Sequence, residues 1–364
     1  MSITFRILGT AGRDNALLVQ VDSGQAIERL LFDCGEGCLS ELAFADMLAI
    51  DHLFFSHLHM DHVGGFDSFF RSTFDRSTKP NRIWGPPETA RILQHRFQGF
   101  LWNLHADMSA TWFISDIHPG RIATTRFELQ EAFTVAHDQG VQTYERTLTE
   151  GAGYIVEAVT MDHRTPTLAF IIREKPRRNI DTSRLASLGL RPGPWLKQLK
   201  ESSNTSDSTV IAGVTHSMAE LRKVLIVETP GESVAYLTDF LLDPPAIERL
   251  SEKLQGCGTI VCEGQYRHAD LELARKNFHM TTVLSATLAQ RAGVRELVLF
   301  HLSDRYQPAD WIEMLREARQ VFPNTHYPPQ WGLGAHAEPG APPNGDPAKP
   351  AGNSGVAEGP PSVS

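Results

Sequence analysis

Cysteine is scarce: Cys34, Cys38, Cys257 and Cys262 are the four in a chain of 364 residues. So few thiols in so long a chain exclude a disulfide framework and point to a reducing cytoplasm. Cys34 and Cys38 lack the tight spacing of a zinc knuckle, so the four read as small buried thiols rather than a metal pair. Long apolar runs are missing as well. None approaches the roughly 18 residues of a membrane-spanning helix, and the opening MSITFRILGT has no basic-then-apolar leader and reads as a strand. Positive charge is in deficit, with a formal net charge of −9, which argues against general affinity for nucleic acid. That deficit is uneven. Residues 173–200 carry eight basic side chains (Arg173, Lys175, Arg177, Arg178, Arg184, Arg191, Lys197, Lys200) against Glu174 and Asp181, so the stretch is +6 and the remainder −15. Such a run is either a solvated face or a grip for an anionic partner.

What is present is an ordinary globular composition, 41% apolar and 21% charged, long enough for one large domain or two. Short β-like runs occur at Ile3–Leu8, Ala16–Val21, Arg29–Phe32, His52–Phe55, Thr167–Ile172, Ser233–Leu237, Thr259–Cys262 and Glu296–Phe300. Helical spacing lies between them at Pro87–Phe97 and Thr282–Ala292. Strands interleaved with helices predict an α/β protein with helix-covered sheets. Two stretches stand apart. Residues 174–224 are basic, then Pro- and Gly-punctuated, then polar, as in an arm inserted in a domain spanning 1–333. Residues 334–364 hold six Gly and seven Pro in 31 positions, a composition expected to stay disordered.

The densest chemistry is SHLHMDH, with His57, His59, Asp61 and His62 within six residues at the end of a β-like run. His57 and His59, at i and i+2, can share one side of an extended chain. Asp61 and His62 fall where a helix could start, and Gly64-Gly65 allows a close backbone approach. Imidazoles with a carboxylate suit a borderline cation such as zinc, at about 2.0–2.2 Å per bond. Four ligands are too many for one tetrahedral site that keeps a position open, so further ligands should serve a second ion. Asp239 and His301 end two other apolar runs, and His163 precedes another. A helix N-cap or turn role is the alternative for Asp239.

Asp33 in LFDCGEG, then SHLHMDH, then His163, Asp239 and His301, in this order, resemble the motif series of the metallo-β-lactamase superfamily over most of residues 1–310. The resemblance implies a four-layer αβ/βα sandwich with a projecting arm. It implies two zinc ions per subunit, other divalent metals being possible, one held by His57, His59 and His163 and the other by Asp61, His62 and His301, with Asp239 bridging. Asp33 then orients ligands without touching metal.

His301-Leu302-Ser303-Asp304-Arg305-Tyr306 resembles the H-x-S-x-R-Y signature of ribonuclease Z, which trims the 3′ end of precursor tRNA. The block around His279 resembles that family's H-S-T block, and Pro192–Lys200 its G-P…L-K stretch. Leu8-Gly9-Thr10 and Trp84-Gly85-Pro86-Pro87 also fit. By this resemblance His279 and Glu263 shuttle a proton, Asp61 accepts one, and the arm of one subunit of a homodimer clamps tRNA on the other. Ser303 and Arg305 lie within four residues of His301, where a hydroxyl and a guanidinium fork can hold a phosphate. A salt bridge is the alternative for Arg305, and an ordinary strand-end carboxylate that for Glu263. The arm residues Arg177, Arg178, Arg184, Lys197 and Lys200 are the expected contacts to RNA phosphates. The sequence departs from the family at Cys262-Glu263-Gly264-Gln265, where H-E-A-T is usual, at Ala169-Phe170-Ile171, and in the short Gly9–Asn15 loop. A related hydrolase of a small phosphodiester, such as a cyclic nucleotide, is the runner-up.

Overall fold

The computed structural model describes residues 2–103, 105, 107–201 and 207–333. The Gly/Pro-rich segment 334–364 and most of the polar stretch after Glu201 lie outside the described residues. Eight strands form one sheet in chain order: β1 (Ser2–Leu8), β2 (Ala16–Asp22), β3 (Ile27–Phe32), β4 (His52–Phe54), β5 (Asn81–Gly85), β6 (Thr111–His118), β7 (Arg121–Glu128) and β8 (His137–Thr143). After β9 (Thr147–Glu150), β10 (Tyr154–Asp162) and β11 (Pro166–Glu174), the chain forms β12 (Arg177–Ile180), β13 (Ser208–Ile211), β14 (Val214–Ser217) and β15 (Ile226–Thr229). It then returns as β16 (Ser233–Leu237), β17 (Thr259–Glu263), β18 (Glu296–Phe300) and β19 (Thr325–His326). The second sheet has the order β19-β18-β17-β16-β11-β10-β9.

The two sheets face each other across a core of alternate residues. Val19, Leu30, Phe32 and Phe54 from the first meet Phe170, Ile172, Val234, Tyr236, Val261 and Phe300 from the second. Outside the first sheet, Phe66, Phe69 and Phe70 of the helix Phe66–Thr73 and Leu93 and Phe97 of the helix Thr89–Phe97 cover Leu31, Leu53, Ile83 and Trp112. Outside the second, the helices Pro244–Leu254, Thr282–Ala292 and Pro308–Val321 cover Ile260, Leu297 and Leu299. A strand buried on both faces loses the apolar–polar alternation, which is why β17 and β18 read as continuous apolar runs. The result is helix, sheet, sheet, helix.

Residues 177–229 have a separate small core of Leu185, Trp195, Leu199, Ile211, Met218, Leu221 and Leu225, framed by the pairs β12–β15 and β13–β14. β3 to β6 run parallel, as do β16 to β19. Parallel strands bring their carboxyl ends to one rim, where α/β folds place ligands. Among the described residues no helix is long and apolar enough to cross a membrane.

Candidate metal centre and active site

Left-handed non-glycine residues just past three strand ends point chemistry at one place. Asp33 follows β3 at φ 58°, Asp239 follows β16 at φ 53°, and His301 follows β18 at φ 52°. This region costs an ordinary residue roughly 1–2 kcal/mol, and it breaks the strand's alternation so that the side chain turns into the rim. The SHLHMDH segment leaves β4 there, and Met60–Val63 forms a helical turn. Its close approach is permitted by glycine. A Cβ on Gly65 would lie 2.3 Å from the Gly35 carbonyl oxygen, and one on Gly35 2.6 Å from that of Asp61.

The structure brings the predicted ligands together as two groups. The rings of His57, His59 and His163 lie 4.5–5.1 Å apart, centre to centre. His62 Nε2 and His301 Nε2 are each 3.4 Å from Asp61 Oδ2. Asp239 Oδ2 stands between the groups, 3.8 Å from both His57 Nε2 and His163 Nε2 and 3.5 Å from His62 Nε2. His57 Nε2 and His62 Nε2 are buried and meet no hydrogen-bond partner. A buried polar atom without a partner is costly, and a set of imidazole nitrogens and carboxylate oxygens converging on one space fits a divalent cation of the zinc type.

The opposite ring nitrogens are held by acceptors. Asp33, fully buried, accepts from Ser56 N through Oδ1 at 2.7 Å. Its Oδ2 accepts from Ser56 Oγ at 2.7 Å, His62 Nδ1 at 2.7 Å and the Tyr236 hydroxyl at 2.8 Å. With its hydrogen given to Asp33, the Ser56 hydroxyl is left to accept from His57 Nδ1 at 3.1 Å. His163 Nδ1 donates to the Phe278 carbonyl at 2.8 Å. Each bond places a ring proton on Nδ1 and leaves Nε2 as the nitrogen that can offer a lone pair to a cation.

Electrostatics follows from this crowding. Burial, then the charge of His62, holds His57 well below the ordinary imidazole range; burial also lowers His163. For His62 burial acts the same way, but the Asp239 and Asp33 carboxylates outweigh it and hold the ring well above that range. His301 is likewise raised against burial, chiefly by Asp239. Burial opposes ionisation of Asp61 and Asp239, yet His301 and His62 keep both well below the usual carboxylate range.

Glu263, at the end of β17 and fully buried, joins the centre to His279. Its Oε2 accepts from Asp239 N at 2.6 Å, and its Oε1 accepts from His279 Nδ1 at 2.9 Å and Met280 N at 2.8 Å. Burial works against the charged ring, but Glu263 and then Asp239 raise His279 to about 9. Arg305 forms no ion pair among the described residues. Its guanidinium lies 5.2 Å over the Tyr266 ring, which is 5.8 Å from the His279 ring. Ser303 Oγ accepts from Arg305 N at 3.4 Å.

Sequence reasoning missed Ser56, Tyr236, Gln265 and Asp14. Gln265 reaches His301 Nδ1. Asp14 accepts from Glu36 N and is raised by burial, then by Asp61, with the Glu36 bond opposing. Tyr236 carried no local signal, since it meets Asp33 across a separation of 203 residues.

The arm is less positive than its sequence. Arg177 pairs with Glu174, Arg178 with Glu228 and Arg184 with Asp181, while Lys200 is exposed and Lys197 has a partner of its own. Glu150, Glu157 and Glu228, which lie outside residues 173–200, pair with Lys175, Arg173 and Arg178, so three further carboxylates halve the +6.

A family model described as anti-Pycsar protein Apyc1 matches residues 10–154. The metallo-β-lactamase-fold protein YhfI from Bacillus subtilis is 17% identical, with a TM-score of 0.53, covering 90% of this chain and 96% of that one; it shares the fold. A ribonuclease Z from Synechococcus sp. (strain CC9311) is 30% identical over 340 residues, 89% of this chain and 95% of the relative. The ribonuclease Z of Deinococcus radiodurans is 48% identical over 325 residues, 89% of this chain and 97% of the relative. At that identity, over nearly the whole of both proteins, the chain belongs to the ribonuclease Z family, metal-dependent hydrolases of metallo-β-lactamase fold.

Proposed function

We propose that the protein is a zinc-dependent endoribonuclease that removes the 3′ trailer of precursor tRNA in the cytoplasm, acting as a homodimer. The observation that carries the reading is the pair of converging ligand groups with Asp239 between them, joined through the Glu263 carboxylate to His279. His57, His59 and His163 would hold one zinc and Asp61, His62 and His301 the other, with Asp239 between. When bound, two such cations polarise the scissile phosphate and activate a water at neutral pH. The residues of the chain do the rest. Asp61, ionised at the mouth of the site, takes up the proton of the attacking water. His279, with Nδ1 committed to Glu263, carries its transferable proton on Nε2 and gives it to the leaving 3′ oxygen. Ser303 and Arg305 hold phosphate oxygens beside the cluster. Arg177, Arg178, Arg184, Lys197 and Lys200 contact the RNA backbone by charge and shape, and the acidic remainder of the chain repels RNA from other faces.

Cleavage of a labelled precursor tRNA bearing a 3′ trailer tests this, with His59→Ala and a small phosphodiester in parallel. The expected result is metal-dependent cutting at the trailer junction, absent in the variant. Hydrolysis of the small ester alone would keep the site and overturn the substrate.

A further inference from the structure

The four imidazoles whose Nε2 atoms face Asp61 or Asp239 need the same tautomer, and three obtain it from partners that can only accept. His62 has a carboxylate, His163 a backbone carbonyl, and His57 a hydroxyl whose own hydrogen is already donated to Asp33. His301 is different. Its Nδ1 meets the side-chain amide of Gln265, with Nε2 of the amide at 3.3 Å, while Asp239 Oδ1, at 3.6 Å, is beyond hydrogen-bond reach. An amide N–H donated to Nδ1 would force the ring proton onto Nε2, the atom 3.4 Å from Asp61 Oδ2. That proton would occupy the lone pair a cation requires. Interchanging the amide oxygen and nitrogen moves no other heavy atom, and it supplies the acceptor that the other three rings have. Backbone bonds fasten both partners: Ser303 N donates to the Gln265 carbonyl at 3.4 Å, and Gly264 N to the Phe300 carbonyl at 2.9 Å. The amide and the imidazole therefore sit on adjoining, mutually bonded segments.

We infer that Gln265 is a positioning residue for the second metal: its side-chain carbonyl accepts the Nδ1 proton of His301 and keeps the His301 Nε2 lone pair turned toward Asp61, His62 and Asp239. The inference rests on the reading of these residues as metal ligands. It makes the two cations unequal in their dependence on Gln265, because His57, His59 and His163 have no contact with the amide among the described residues.

The test is zinc titration of the metal-free full chain by calorimetry and competition with a chromogenic chelator, comparing wild type with Gln265→Leu and Gln265→Glu. Leucine keeps the bulk without an acceptor, and glutamate is acceptor-only. Loss of an outer hydrogen bond to a ligating histidine weakens metal binding by roughly 10–100-fold. Gln265→Leu is expected to show that loss at one of two sites, and Gln265→Glu to stay within about threefold of wild type on the same scale. Two unchanged sites in Gln265→Leu, or equal losses in both variants, would overturn the inference. Nitrogen-15 spectra of the histidine rings give a second readout: a protonated Nδ1 on His301 in zinc-loaded wild type supports the assignment, and a protonated Nε2 refutes it. A wild-type chain that takes up no zinc would instead sink the metal-site reading beneath it.

Discussion

Asp33→Asn is the sharpest test of how the centre is held. Asparagine matches aspartate in volume and tolerates the left-handed backbone observed at φ 58°, so the substitution isolates charge and acceptor capacity. Asp33 meets four donors and is buried from solvent. An amide offers only one accepting end. If its oxygen takes the place of Oδ2, the Ser56 backbone N–H is left facing an NH2 group; if it takes the place of Oδ1, three donors are. The first arrangement prevails, leaving one buried donor unpaired, worth about 1–3 kcal/mol, and weakening three charge-assisted bonds to neutral ones, about 1 kcal/mol each. With partial relaxation the expected loss of folding stability is about 3–5 kcal/mol, read as a shift of the urea midpoint in metal-free protein. His62 loses the carboxylate that makes it a strong ligand, so zinc binds roughly 10–100-fold more weakly at the site shared with Asp61 and His301. A variant within 1 kcal/mol of wild type and with unchanged zinc affinity would refute the reasoning.

Other consequences are simpler to state. His62 and His301 are raised and must lose protons to ligate, whereas His57 and His163 are lowered and already neutral. Zinc affinity should therefore rise with pH, and calorimetry in buffers of different ionisation heat should register proton release near pH 7. Glu263→Gln removes the charge that holds His279 up, so the limb where kcat declines with rising pH should move to lower pH. His279→Asn should lower kcat by about 10²–10⁴-fold with metal content unchanged; an unaltered kcat would exclude it as the acid. Arg178→Glu breaks only an exposed pair with Glu228, worth under about 1 kcal/mol, so tRNA cleavage should fall and its salt dependence flatten while hydrolysis of a small phosphodiester persists. His52 accepts from Trp84 Nε1 at 2.9 Å, and burial lowers it to about 4. A lowered base is neutral in the fold and protonated when unfolded below about 6.5, so stability is full at pH 8 and falls toward pH 5 by about 1–2 kcal/mol. Denaturation at the two pH values, beside His52→Gln, checks this.

The strands β16 and β18 and the helix Thr282–Ala292 have the bounds expected from sequence. That helix carries its own punctuation, a Thr281 side-chain cap and Gly293 in the left-handed conformation after its end. Pro87–Phe97 starts two residues late because Glu88 is left-handed, so the helix begins at Thr89. The strands β5 to β10 were hardly legible. β8 (HDQGVQT) is exposed along nearly its whole length and offers no alternation, and it is held by antiparallel pairing to β7. The proposed metal ligands stood out in the sequence because their residue types are rare in such density, and the structure places them in two adjoining groups. Their supports were not: Ser56, Tyr236 and Gln265 are ordinary residues whose role exists only once distant strand ends meet.

Those strand ends explain why the ligands need supports at all. Asp33, Asp239 and His301 hold strained backbones, and the rim they form gathers Asp61, Asp239 and Glu263 with rings that must stay neutral on one nitrogen to be useful. Without a cation, two buried Nε2 atoms have no partner, so the cluster weakens the fold that carries it. The hydrogen bonds that His62 donates to Asp33, His57 to the Ser56 hydroxyl and His163 to the Phe278 carbonyl lie on the outer side of the rings. They therefore survive unchanged when the inner nitrogens find a cation, and the strain is retained as pre-organisation. A cation present at a thousandfold its dissociation constant adds about 4.1 kcal/mol per site, comparable with the cost of three such backbone residues at roughly 1–2 kcal/mol each. In the proposed arrangement a divalent cation would serve both the chemistry and the packing of the rim at the junction of the two sheets.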